Sequence, residues 1–296
     1  MLISQSSGMT ASTTTITTLA SSIITIALFY KLRWTPCSGA YINTRPWFTM
    51  FWVVCLTIGT IAPLAYLTEL LGVTLPDTYN EMFKGIMQHK LGFITIGIIA
   101  PIAEEYVFRG AILRVLCDIT GKHRQWVAIV LSAALFATVH GNMAQGIGAF
   151  LCGLLLGWMY VRTGSIVPGV VYHWVNNSTA VLLYRLMPQS ADMQFADFFG
   201  GDMKRVALAI VFSLMIFGAS MFQLPTPPQH INPSTSQHHT SCPISEISPS
   251  ASQYASATVA TLATTYSYST KWRRYPFRAS HAVCSVCCLL CACVAL

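Results

Sequence analysis

The chain has 296 residues, 54% hydrophobic and only 9% charged, with mean hydropathy +0.56 and a formal net charge of +7. Soluble globular proteins devote about 25% of their residues to charge, so a soluble surface is excluded and a polytopic helical membrane protein is implied. The basic excess then marks loops on one side of a bilayer and calls for no nucleic-acid partner.

The N-terminal stretch MLISQSSGMTASTTTITT lacks the basic start and small-residue cleavage site of a signal peptide and reads as a polar lead into the first span. A helical span needs about 20 mainly apolar residues. Segments of this kind lie near 12–31, 47–71, 91–109, 125–140, 144–161, 165–187 and 204–224. The expected fold is therefore all-α, a transmembrane bundle of about seven spans. Lys31, Arg33 and Arg45 fall between the first two segments, Arg114, Lys122 and Arg124 between the third and fourth, and Arg162 between the fifth and sixth. The alternating loops are neutral or acidic, with Asp77, Glu81, Asp192, Asp197 and Asp202. The positive-inside rule then puts the N-terminus outside and Arg109 at the cytoplasmic end of the third span. In the fifth segment Gly153 and Gly157 form a GxxxG pair, expected to bring helices of the bundle close together.

Residues 1–224 thus form the transmembrane domain, and 225–296 a tail of different composition. Residues 225–280, rich in Ser, Thr, Pro, Gln and His, read as disordered. The end, AVCSVCCLLCACVAL, is apolar but short for a span. Its last residues, Cys293 to Leu296, fit a C-terminal prenylation pattern with Lys271, Arg273, Arg274 and Arg278 upstream, although a Cys-rich end produces such a match by chance. Among the ten cysteines no CxxC pair is matched by a second pair plus histidines, so a zinc finger is not expected.

The chemistry concentrates in three apolar segments. The third ends in PIAEEYVFRG, with Glu104, Glu105 and Arg109. Glu105 and Arg109 are four apart with the acid first, the favourable order for a helical ion pair. Glu104 points about 100° away and is left to face something else. The fourth segment carries Phe136 and His140 at the same spacing, and the sixth His173 and Asn177. Any one of these could be an ordinary span end or a satisfied core histidine. Together, unpaired, they would be costly in hydrocarbon, whereas around one wet cavity they satisfy each other. A buried glutamate can take a proton from water, a histidine can hold that water, and His and Asn donors can stabilise an oxyanion.

These residues resemble the three motifs of the CAAX-protease and bacteriocin-processing (Abi) family, which includes the type II CAAX prenyl endopeptidases. EExxxR corresponds to Glu104, Glu105 and Arg109, FxxxH to Phe136 and His140, and HxxxN to His173 and Asn177. The resemblance covers roughly residues 90–185. It implies an intramembrane endopeptidase with Glu104 as the base, His140 as its partner and His173 with Asn177 at the oxyanion, Glu105 and Arg109 supporting. It implies membrane-associated or lipidated peptides as substrates and a multi-pass location, the plasma membrane if the host is bacterial. The family is commonly classed with metalloproteases. Zinc on His140 and His173 stays open, but HExxH is absent and metal-independent chemistry is the preferred reading. The separation of 33 residues between His140 and His173 is compact, nearer the Abi-type members. The polar tail departs from the pattern and leaves the substrate open. The bilayer and a peptide or lipidated protein are the expected partners, with the oligomeric state open. A proton-coupled transporter uses intramembrane Glu and His as well, but no internal repeat is evident. A non-catalytic immunity or scaffold protein is the third reading.

Overall fold

The computed structural model describes residues 10–36, 38–72 and 77–224. The tail beyond Leu224, with its CVAL end, lies outside the described residues. Among the described residues there is helix and no strand. In chain order the helices are α1 (Ala11–Lys31), α2 (Gly39–Asn43), α3 (Trp47–Leu70), α4 (Asp77–Gln88), α5 (Phe93–Thr120), α6 (Gln125–Thr138), α7 (Met143–Thr163), α8 (Val167–Leu186) and α9 (Met203–Gln223). The fold is an all-α membrane bundle.

Each of the seven apolar segments is helical. By length and hydropathy, α1, α3, α7 and α9 can each cross a membrane, and a fifth crossing arises if α4 and α5, bent by 100°, count as one broken span. The remaining two segments are α6, at 14 residues, and α8, whose centre carries His173, Asn176 and Asn177. The first is short of a span's length, the second is interrupted by polar residues, and both carry site residues.

Helix starts follow capping chemistry. Thr10, Asn142 and Asp202 each accept, through a side-chain oxygen, a backbone N–H of the first turn of α1, α7 and α9. Gly164, at φ +67°, closes α7 in the left-handed conformation. The bend between α4 and α5 needs Gly92, where a Cβ would overlap the carbonyl oxygen of Ile86. Arg185 of α8 holds the bend from outside by donating to the carbonyls of Met87 and His89.

The third segment runs further than the expected 91–109. It continues to Thr120, so Arg114 is a helical residue and not part of a loop. The extension holds because the Arg114 donors have partners, the Gly110 carbonyl and, from the α1–α2 connection, the Trp34 carbonyl at 2.7 Å. Two stretches of α5, Phe93–Ile99 and Tyr106–Leu113, are π-helical, flanking a normal turn at Ala100–Glu105. Widened turns weaken the carbonyls' own backbone bonds and invite outside donors. Those donors are present: Asn177 on Ile96, Ser178 on Gly97, Thr35 on Tyr106 and Ser132 on Phe108.

Small residues bring α7 against α6. A Cβ on Gly153 would meet Ala133 at 3.0 Å, and one on Gly157 would meet Ile129 at 3.0 Å. The GxxxG pair therefore serves contact within the bundle. Helix α9 lies along α3, and α8 packs against α3, α7 and the first π stretch of α5. One buried cluster joins Val53 and Leu56 of α3 to Leu156, Met159 and Tyr172, and a second joins Phe108 and Ile112 to Phe136 and Ala149. The second forms the floor beneath the polar residues of α5, α6 and α8.

Candidate active site

The normal turn between the two π stretches carries Glu104 and Glu105 side by side, and their surroundings differ. Glu105 is fully buried and Arg109 is 1% exposed. Arg109 Nη1 donates to Glu105 Oε1 at 2.8 Å, the expected i,i+4 pair. Arg109 Nη2 donates to the Gly153 carbonyl at 3.3 Å, and its guanidinium lies 4.5 Å over the Phe136 ring. The ion pair is thus walled by α6 and α7, in the small-residue contact just described.

Glu104 turns the other way. Its side chain is 36% exposed, and its Oε2 lies 3.5 Å from His173 Nε2. The opposite ring nitrogen, Nδ1 of His173, lies 3.2 Å from Glu105 Oε1. An ionised carboxylate only accepts hydrogen bonds, so Nδ1 carries the proton and donates to Glu105. The ring thereby turns Nε2 toward Glu104. His173 is buried between one carboxylate tied to arginine and another open to water.

His140 Nδ1 lies 2.7 Å from the Phe136 carbonyl oxygen, which can only accept, so Nδ1 carries a proton and donates to it. The Phe136 ring stands edge-on to both imidazoles, at 4.8 Å from His140 and 5.8 Å from His173. Asn177 donates one amide N–H to the Ile96 carbonyl at 3.2 Å, and its oxygen accepts from Asn176. An amide has two N–H donors, so a second remains for a ligand.

The structure thus brings Glu104, Glu105, Arg109 and His173 into one hydrogen-bonded and ionic group. Phe136 joins His140 to it through ring contacts, while Asn177 ties α8 to the π-helical start of α5. Sequence spacing alone did not single out Gly169 of α8, which lies against Glu105. Its only signal was a place four residues before His173, on the same helix face.

Zinc needs three or four converging ligands. Among the described residues no three His, Cys, Asp or Glu side chains converge in that way. Among the described residues the His, Cys, Asp and Glu side chains are not arranged as a zinc site.

A helical membrane bundle enclosing an acid–imidazole–acid contact backed by a buried guanidinium defines a class: membrane proteins with ionisable groups assembled inside the bundle. Residues 87–179 match the family described as Rce1-like, Type II CAAX prenyl endopeptidase Rce1-like. This segment contains all three motifs, and the long apolar helices make the protein a multi-pass membrane protein. No curated protein and no solved structure matches the chain.

Proposed function

We propose that the protein is an intramembrane endopeptidase acting on membrane-associated or lipidated peptides, with Glu104 as the base that activates water. The observation that carries this reading is the contact of Glu104, still partly exposed, with a histidine whose far nitrogen is held by a buried carboxylate. A water molecule beside Glu104 gives its proton to the carboxylate as its oxygen attacks the acyl carbon. The proton passes to His173 Nε2, where Glu105 stabilises the imidazolium, and then to the leaving amine nitrogen as the C–N bond breaks. Water supplies the hydroxyl of the new acid and the hydrogen of the new amine. This is the base–orienter logic of catalytic triads, with Glu105 in the orienting place.

His140, whose Nδ1 is held by the Phe136 carbonyl, suits the role of accepting a hydrogen bond from the same water through Nε2. The second N–H of Asn177 suits the developing oxyanion, beside the His173 imidazolium. The mechanism uses no metal.

The test is mass spectrometry of tethered and lipidated peptides incubated with the purified full chain and with Glu104→Gln. General-base catalysis is worth roughly 100-fold to 10,000-fold, so the variant should lose at least that lower factor while expressing normally. Undiminished cleavage by Glu104→Gln overturns the mechanism. Incubation with a chelator should leave the wild-type rate unchanged, and a loss restored by added zinc would overturn the metal-free reading.

A further inference from the structure

We infer that Gly169 is a positioning residue, whose missing side chain keeps Glu105 on His173; this rests on the hydrolytic reading above and adds a residue to it. A Cβ built on Gly169 would come 2.7 Å from Glu105 Oε2, with Glu105 Cδ and Leu156 Cδ2 both at 3.5 Å. An isolated glutamate tip could swing aside. This one cannot do so freely, because Glu105 is fully buried and its other oxygen receives both Arg109 and His173.

Among the described residues Oε2 has no hydrogen-bond partner, so the shape of the cleft and the bonds of Oε1 set its place. The two oxygens share a rigid plane, and displacing Oε2 rotates Oε1 away from His173. Gly169 and His173 are four residues apart on α8, one turn of one face. The same helix therefore opens the space for the carboxylate and presents the imidazole to it. Neighbouring α7 closes the other side through Leu156, which is fully buried.

An ångström-scale error in such a constellation costs about 100-fold in rate. Gly169→Ala should lose cleavage on that scale. It should also move the His173 ring-nitrogen resonances away from the Nδ1–H tautomer in the full chain labelled with 15N-histidine. In a Glu105→Asp background, where the carboxylate is withdrawn by one methylene from the added Cβ, Gly169→Ala should lower the thermal midpoint less than it does in the wild type. Gly148→Ala, where an added Cβ meets nothing within 4 Å, is the matched control and should change neither reading.

A His173 tautomer unchanged in Gly169→Ala overturns the inference. If that single variant fails to fold, the Glu105→Asp background decides: a folded double variant supports the inference and an unfolded one overturns it. The resonance is read without any peptide. If the wild type cleaves nothing, the hydrolytic reading fails while the placement of Glu105 by Gly169 is still measured.

Discussion

At the scale of single residues, two adjacent glutamates have opposite situations. Glu105 is buried with its charge matched by Arg109, and Glu104 is partly open beside His173. Removing one partner of a buried ion pair leaves the other charge uncompensated, at a cost of about 3–5 kcal/mol. Glu105→Leu should therefore lower the thermal midpoint of the detergent-solubilised protein steeply. Glu104→Gln, at a part-exposed position, should leave that midpoint within the range of surface substitutions, about ±0.5 kcal/mol. A melting series of both variants checks the contrast, and equal losses would contradict the assigned environments. Lysine at Arg109 is not an equivalent replacement, since it loses the planar fork that reaches Glu105 and Gly153 and stacks on Phe136.

At the scale of elements, α5 determines the site. Its two π stretches bracket the glutamates, and side chains from the α1–α2 connection, α6 and α8 bond its carbonyls. A net hydrogen bond contributes about 1 kcal/mol. Thr35→Val, which removes the 2.7 Å bond to the Tyr106 carbonyl, should cost about that much and increase amide exchange locally around Tyr106. The α6–α7 contact depends on small residues in the same way. Gly157→Val pushes a branched side chain into Ile129 and should cost about 1–3 kcal/mol by overpacking, measured by denaturation. Because α7 also supplies the carbonyl of Gly153 to Arg109, that wedge should lower cleavage as well.

At the scale of the whole molecule, the arrangement of helices in the bilayer follows from loop charge and helix length. Helices α6, α7 and α8 lie between Lys122 and Gln189. If all three cross, single cysteines introduced as Lys122→Cys and Gln189→Cys label from opposite faces of sealed vesicles. Arg162→Cys should then label with Lys122→Cys. Labelling of positions 122 and 189 from the same face would mean that one of α6 and α8 turns back within the membrane, and the bundle would have fewer crossings than segments.

Much of this was legible without coordinates. A chain with 9% charge cannot cover a soluble surface, so the membrane class and the helical segments follow from composition and run length. The Glu105–Arg109 pair follows from i,i+4 spacing, a local property of one helix. The cross-helix facts do not follow. That the carboxylates share His173, that α5 widens into π turns, and that Gly169 makes room for Glu105 all depend on how helices distant in sequence rotate against one another. Those rotations are set by close contacts such as Gly153 with Ala133, which join residues that no local pattern relates. The sequence alone determined which groups could do the chemistry. Packing decided which of them meet, because distances of 3 Å between helices are fixed by side-chain volume and not by spacing along the chain.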